Sequence, residues 1–379
     1  MIFPVPLATP NASPATITRL SGKWLGVMLF VLLVPFGVEA SVAAEGIDPL
    51  REPSKPISAS VPLLGMDRAG DVLVGVGLHG MIKRSTDGGT TWQQVQSPVS
   101  TDLVQVRFRD PMNGWAVGHD SVLLNTTDGG LTWSVQLDGR TVLARLNAFY
   151  GERAERGIEG AADMLQEVEF AMNTSATPDV LASPFLDVMF NEDKVGYVIG
   201  AFGMILRSTD DGATWDPWIE QTDNTRRMHL YGLDERDGVF YIAGEQGLLM
   251  RLNLQTQQFT TIETPYNGTY FGVRALPDLL LAYGLRGNLY ASRDDGGQWQ
   301  QIDTGLNASV ISAVDSGQQL IMVSQSGAMI ALDKESLSVT PLQASRVGEV
   351  FAASGTGRDG EMVVTFFSGA KLVEIAKAN

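Results

Sequence analysis

Three sets of side chains in this sequence have the types that chemistry uses. Asp87, Asp128, Asp210 and Asp294 recur in one local frame, and a carboxylate that recurs in one frame invites an acid, base or cation-binding role. His79, His119 and His229 are the three imidazoles of the chain, the ligand type of a metal site. Arg107, Arg274 and Arg286 offer guanidinium groups of the kind that clamp a carboxylate-bearing substrate. Whether any set converges depends on the elements that carry it.

The aspartate frame is Ser/Thr-x-Asp-x-Gly-x-x-Trp. It is formed by Ser85, Asp87, Gly89 and Trp92, then by Thr126, Asp128, Gly130 and Trp133. It returns as Ser208, Asp210, Gly212 and Trp215, and as Ser292, Asp294, Gly296 and Trp299. Each position fits a tight turn between antiparallel strands. The carboxylate accepts from turn N–H groups, and the hydroxyl two residues earlier joins it. Glycine supplies a positive φ, and the indole starts the outgoing strand. The four carboxylates therefore read as structural. The histidines fall on three different repeats, which argues against a shared metal. No Gly-x-Ser-x-Gly, phosphate loop or dinucleotide fingerprint is present. No catalytic residue, metal or cofactor is expected.

Spacing sets the architecture. Trp92 and Trp133 are 41 residues apart, Trp133 and Trp215 are 82, and Trp215 and Trp299 are 84. A period of about 40–45 residues built from short strands is that of propeller blades. Inner strands are expected near Val61, Leu103, Leu186, His229, Tyr270, Val310 and Val350, which gives an all-β, seven-bladed β-propeller over 58–379. Blade seven has no fourth strand of its own after Lys371–Ile375. The Pro-containing stretch 45–57, extended to Ala59, is expected to close the ring by supplying it.

Residues 1–44 have the layout of an export signal, with Arg19 and Lys23 before the uncharged run Trp24 to Val38 and small residues at Ala40 and Ala44. The chain contains no cysteine, which excludes disulfides, thiolate metal sites and a lipid-attached N-terminal Cys. Export without disulfides points to a periplasm. The formal charge is −16, one unit more negative without the leader (Arg19, Lys23, Glu39), which makes nucleic acid an unsuitable partner.

One stretch breaks the period. About 40 residues are inserted after Trp133, over 140–180. Leu143, Leu146, Phe149 and then Ala161, Met164, Leu165 and Val168 recur at helical spacing, so a helical pair is expected between blades two and three, broken near Gly157 and Gly160. Seven blades close without it, so it is expected to be dispensable for the fold and to flank the channel as a docking element.

Strand order then divides the disc. The aspartate turns join strands three and four on one face. The strand two-to-three turns and the inter-blade links lie on the other. The candidate partner-binding face thus carries His79, His119, Asp120, Phe202, Arg226, Arg227, Glu245, Gln246, Tyr266, Tyr270 and Arg286.

The aspartate frame resembles the Asp-box, or BNR repeat, of β-propellers. Sialidases carry such boxes, and a sialidase-like glycoside hydrolase is the alternative reading, although the Phe/Tyr-Arg-Ile-Pro stretch of those enzymes is missing. Asp110-Pro-Met-Asn-Gly-Trp-Ala-Val-Gly118 running into Val122–Trp133 resembles the photosystem II stability and assembly factor family, as does Lys194–Gly200 running into Ile205–Gly212. The resemblance covers about 58–375. It implies a non-catalytic propeller that is peripheral to a membrane, monomeric, and bound to a membrane protein complex. Pro184-Phe-Leu-Asp187 and Gly244-Glu-Gln-Gly247 are similar to those of non-photosynthetic bacterial relatives that look like accessories of RND-type exporters. The helical insertion and the missing lipid-attachment Cys depart from the photosynthetic pattern.

Overall fold

The computed structural model describes residues 48–57, 60–173, 179–343 and 348–377. The leader expected over 1–44 lies outside them. Short antiparallel sheets form a seven-bladed β-propeller. Blade one has strands Leu63–Ala69, Val72–Gly77, Met81–Ser85 and Gln93–Val95 in that spatial order. Blades two to five repeat the pattern, with inner strands Leu103–Phe108, Phe185–Phe190, Leu230–Arg236 and Tyr270–Leu276. Blade six starts at Val310–Ser316 and blade seven at Val350–Gly355. The second strands, such as Gly114–Gly118 and Gly196–Gly200, are buried along their whole length because each is covered by blades on both sides. Large side chains fill the seams: Trp115 of blade two stacks on Phe190 of blade three with ring centroids 4.0 Å apart.

Closure differs from the expectation. Blade seven has three strands among the described residues, ending in Gly369–Glu374, and no N-terminal strand pairs with it. Residues 48–57 run along blade one instead. The Ser54 N–H donates to the Ser97 carbonyl (3.0 Å), the Ser100 N–H to the Pro49 carbonyl (2.8 Å), and the Ile57 N–H to Gln94 Oε1 (3.0 Å). Pro49, Pro53 and Pro56 lack the N–H that a continuous ladder needs, so the segment is held by isolated bonds. Residues 47, 58 and 59 of the expected closing strand lie outside the described residues. The ring shuts by packing, with Met66 and Leu73 of blade one against Ala352 and Val363 of blade seven. The far end of the chain adds a short strand, Ala376–Lys377, to the outer edge of blade six.

The insertion is two helices, α1 (Gly139–Glu155) and α2 (Ala161–Asn173), separated by Gly157 and Gly160 at positive φ. Asp138 caps α1: its carboxylate accepts from the Thr141 N–H (2.8 Å), and Thr141 Oγ1 accepts from the Asp138 N–H. The pair is not an appendage. Val142, Leu143, Leu146, Tyr150, Met164 and Val168 belong to the same buried cluster as Trp115, Trp215 and Ile219. The Tyr150 hydroxyl donates to Glu220 Oε2 (2.7 Å), and Arg145 Nη1 donates to the Trp215 carbonyl (2.8 Å). The expected dispensability fails because the apolar stripe of both helices is part of the core of blades two to four.

Candidate functional site

The aspartate turns are closed hydrogen-bond systems. In blade one, Asp87 Oδ1 accepts from the N–H groups of Thr90 (3.0 Å) and Thr91 (2.9 Å) and from Ser85 Oγ (2.8 Å), while Thr91 Oγ1 donates to Oδ2 (2.6 Å). Ser85 Oγ in turn accepts from the buried Gly89 N–H (2.9 Å), and the Trp92 indole donates to the Gly89 carbonyl (3.1 Å). Gly89 sits at φ +89°, and a Cβ there would lie 2.4 Å from Val363, so this seam admits only glycine. Donors to the charged form hold the Asp87 carboxyl down at about 2, first among them the Thr91 hydroxyl. Thr126, Asp128 and Gly130 repeat this hydroxyl–carboxylate–glycine pattern, as do Ser208, Asp210 and Gly212, and Ser292, Asp294 and Gly296. The indoles diverge: Trp133 donates to the Gly130 carbonyl, Trp215 is buried, and Trp299 reaches the Glu263 carbonyl. The frame carboxylates Asp87, Asp128, Asp210 and Asp294 each accept from their own turn, while the neighbouring Asp211 and Asp295 pair with arginines of the preceding blade.

Deeper in the ring lies a polar cavity of about 100 Å³ lined by Gln105, Arg107, Asp187, Asp234, Arg274 and Tyr283, among others. Asp187 is 1% exposed and forms a two-point pair with Arg107, Oδ1 to Nε at 3.0 Å and Oδ2 to Nη2 at 2.9 Å. Asp234 pairs with Arg274 Nε at 3.2 Å. Each acid on this level also accepts a backbone N–H from the next blade: Asp67 from Phe108 (2.7 Å), Asp187 from Leu233 (2.9 Å), and Asp234 from Ala275 (2.8 Å). These carboxylates staple blade to blade. Burial pushes the carboxyls of Asp67 and Asp234 up, and the neighbouring guanidiniums oppose that shift. Arg107 and Arg274 are spent here, and Arg286 sits on a surface turn, so no substrate clamp assembles. The staple went unread in the sequence because its acids do not share a motif.

On the opposite face the turns are built differently. His79, Phe202, Gln246 and Arg286 occupy equivalent positions of the strand two-to-three turn, at φ of 57°, 57°, 55° and 58°. That left-handed region disfavours any residue with a Cβ, yet four blades place a large exposed side chain there. Blade two turns with Asp120 and Ser121 at positive φ. Asp120 Oδ2 accepts from Thr101 Oγ1 (2.9 Å), and His119 is exposed beside it.

A second regularity sits at the channel mouth. All seven inner strands carry a register shift one residue after their first residue. The residues so bulged out are Leu64, Val104, Leu186, Tyr231, Phe271, Ile311 and Phe351. All seven are apolar or aromatic and all are half-buried. Bulges re-aim side chains, and here they produce an apolar collar, three of whose members line the polar cavity. Tyr231 and Phe271 meet edge-on at 5.4 Å. Outward from them, His229 lies 6.2 Å from Tyr231 and 4.8 Å from Phe202.

The other expected contact residues divide. Arg226 is exposed and donates to Gln246 Oε1 (2.6 Å). Glu245 accepts from the His229 N–H (2.9 Å). Tyr266 is half-buried, its hydroxyl donating to the Leu285 carbonyl (3.2 Å). Arg227 turns back onto α2, with Nε donating to Glu167 Oε2 (3.0 Å). Tyr270 is a correction: it is fully buried, as the first residue of an inner strand must be when its neighbour takes the bulge. Among the described residues no cluster of His, Asp or Glu is arranged to hold a metal.

Phe202 also forms one wall of an apolar groove of about 440 Å³. Phe170 and Ala171 of α2 also line it, with the more buried Leu146, Met204 and Ile219 and the Glu167–Arg227 ion pair. Phe170 is 71% exposed and Phe202 62%. Sequence reasoning placed Phe202 on this face but passed over Phe170, which lies off the apolar stripe of its helix.

Comparison with known proteins agrees with this architecture. The family model described as "Photosynthesis system II assembly factor YCF48" matches residues 83–165 and 177–331. The "Photosystem II assembly lipoprotein Ycf48" of Synechococcus sp. (strain CC9902) is 29% identical over 119 residues, 30% of this chain and 35% of the relative. The chloroplastic "Photosystem II stability/assembly factor HCF136" of Cyanidioschyzon merolae is 43% identical over 47 residues, 12% of this chain and 11% of the relative. The matched stretches therefore span about a third or less of these relatives. Among solved structures, "YCF48 bound to D1 peptide" superposes with a TM-score of 0.58 at 14% identity, covering 86% of this chain and 96% of that one. "YCF48 from Cyanidioschyzon merolae" gives 0.57 at 13%, covering 84% and 97%. Both likenesses are likenesses of fold. The family is one of assembly factors and not of enzymes. With more than half of its length matched, the chain belongs to the photosynthesis system II assembly factor YCF48 family of BNR-repeat propellers.

Proposed function

We propose that this protein is a non-catalytic scaffold that holds a segment of a membrane protein complex on the face bearing the apolar collar, and so aids assembly or transport by that complex. The observation that carries the reading is the collar itself. Seven bulges out of seven place an apolar side chain at the channel mouth, where a free surface gains nothing from it. The family membership supports an assembly role, and a protein of the same fold has been solved bound to a D1 peptide. Electrostatics agree in outline, since the staple charges beneath the collar are already paired and make no demand on the guest.

The finer reading is that the protein is exported to a periplasm and serves an RND-type exporter. The export-signal pattern of residues 1–44 supports the first part. The likeness of Pro184–Asp187 and Gly244–Gly247 to exporter accessories supports the second. A tagged protein, cross-linked in membranes, tests the scaffold reading. Phe271→Ala with Phe351→Ala is expected to reduce capture at least tenfold, while Asp210→Ala on the far face leaves it unchanged. The reverse pattern refutes the docking face. Osmotic-shock fractionation tests location, and recovery only with cytoplasmic markers refutes export.

A further inference from the structure

We propose that the groove between α2 and the Phe202 turn is a socket for an amphipathic helix of the partner, its apolar face flanked by lysine or arginine. This rests on the scaffold reading and specifies the chemistry of one part of the docking face. The volume of about 440 Å³ is that of a ligand-sized pocket, enough for a few large aliphatic side chains. Two of the most exposed phenylalanines of the molecule, Phe170 and Phe202, line it. Neither is needed by the core: α2 gives Ala161, Met164 and Val168 to it, and Met164 and Val168 also line the groove.

Backbone accounting selects a helix over an extended strand. The walls come from α1, α2, the 181–183 link, the Phe202 turn, Met204, Ile219 and Arg227, and none of these residues belongs to a strand. An extended guest would find no ladder to join and would lay unpaired N–H and C=O groups over an apolar floor. A helix satisfies its own backbone and offers a stripe of side chains at i, i+3, i+4 and i+7. Charge then selects the flanks. Residues 161–173 carry Asp163, Glu167 and Glu169 and no Lys or Arg. Asp163, Glu167 and Phe170, at i, i+4 and i+7, share one face of α2. Among the described residues only Glu167 of the three has an ion-pair partner, Arg227 at 3.0 Å. An apolar wall with Glu167 at the groove and the unpaired Asp163 one turn away on the same helix face fits a basic amphipathic helix and repels the headgroups of an anionic bilayer.

The test uses the chain from residue 45 and a synthetic helix of about 18 residues with leucine on one face and lysine beside it. Fluorescence anisotropy is expected to show salt-sensitive binding. Phe170→Ala or Phe202→Ala is expected to weaken it tenfold or more, and Asp163→Asn with Glu167→Gln severalfold, each with its melting temperature within a few degrees of wild type. The same peptide with glutamate flanks is expected to bind poorly. Equal binding of both peptides, no binding of the lysine peptide, or indifference to Phe170→Ala and Phe202→Ala overturns the socket. So does binding to phosphatidylglycerol vesicles that depends on Phe170, which would make the groove a lipid site. Membrane capture separates the two readings. If Phe170→Ala loses the peptide but still captures the partner in full, the socket reading fails and the scaffold stands. If wild type binds the peptide but captures no membrane protein, the scaffold fails and the socket stands.

Discussion

The two faces of the disc solve the same problem, reversing a chain between strands, with opposite materials. On the aspartate face, Ser85, Asp87, Gly89 and Trp92 turn their polar groups back onto the turn, and the three repeats keep the hydroxyl–carboxylate–glycine part of that network. On the other face the turns hold His79, Phe202, Gln246 and Arg286 at positive φ, a conformation that glycine takes without strain. A carboxylate that accepts three or four hydrogen bonds from its own turn has nothing left for a guest. A phenylalanine kept exposed at an unfavourable φ contributes nothing to its turn. The conspicuous motif therefore marks the scaffold, and the strained, exposed turns lie on the face proposed for docking.

The sharpest way to break this comparison is inside the ring, where the rule that committed carboxylates are structural meets the lowest dielectric. Asp187→Ala strands the Arg107 guanidinium and, around a carboxylate that is 1% exposed, the N–H groups of Val188 and Leu233. Removing one partner of a buried pair costs about 3–5 kcal/mol, to be read by urea unfolding. A loss below about 1 kcal/mol would show that the staple is ornamental and leave Arg107 and Asp187 open to a functional role.

A smaller effect separates two members of one aspartate turn. Ser208 is 2% exposed and its Oγ accepts the buried Gly212 N–H at 2.9 Å, whereas the Thr214 N–H bound by Asp210 is exposed. Ser208→Ala leaves a buried donor unpaired, at about 1–3 kcal/mol, while water replaces most of what Asp210→Ala removes, leaving about 1 kcal/mol. Equilibrium unfolding of the two variants should rank them in that order. The opposite order would return the aspartate to the centre of the turn.

That ranking also shows what the sequence could and could not convey. The period of the Trp residues and the antiparallel turn chemistry are local, so seven blades and the division into two faces were legible. Blades four and six lost the motif but kept its physics. Asn253 Oδ1 accepts from the N–H groups of Gln255 and Thr256, and Asp333 Oδ1 from those of Glu335 and Ser336, each within one strand connection. Closure was misread because counting strands does not reveal that a proline-bearing segment lacks the donors for a ladder, or that Ala376–Lys377 would cross to blade six. The helices were legible by their 3.6-residue period, but whether their stripe meets the core or a partner is a tertiary fact. The staple acids Asp67, Asp187 and Asp234 depend on contacts between blades some 40 residues apart in sequence, which no local pattern encodes.

The docking face predicts a change of sign. Arg286 is exposed at φ +58°, and among the described residues it has no ion-pair partner. Glycine there relieves left-handed strain of about 1–2 kcal/mol and adds about 0.5–1 kcal/mol of unfolded-state entropy, so Arg286→Gly should hold stability or raise it by up to about 1 kcal/mol. Partner capture should fall at the same time. A clear loss of stability would place Arg286 with the scaffold and erase the contrast between the faces.

The smallest expected effect, and the one most specific to the aspartate face, is a pH dependence. The Asp87 carboxyl is held down at about 2 in the folded chain, against 3.8 for an ordinary aspartate. Because the folded value is the lower one, the unfolded chain binds more protons between the two. Stability must therefore rise with pH across that window and be fully present above it. Asp128, Asp210 and Asp294 are lowered for the same reason, so all four turns contribute in the same direction. Asp87→Asn keeps an oxygen that can accept from the Thr91 N–H but loses the second oxygen, which takes the Thr91 hydroxyl at 2.6 Å. Its melting temperature should fall below wild type at pH 5, and the gap should be mostly gone by pH 2, where the wild-type carboxyl is about half protonated in the fold. Melting curves at half-unit steps between pH 2 and 5 read this directly. A gap that stays constant down to pH 2 would mean that the turn depends on the shape of the side chain and not on its charge, and the neutral amide would then be as good a scaffold residue as the acid.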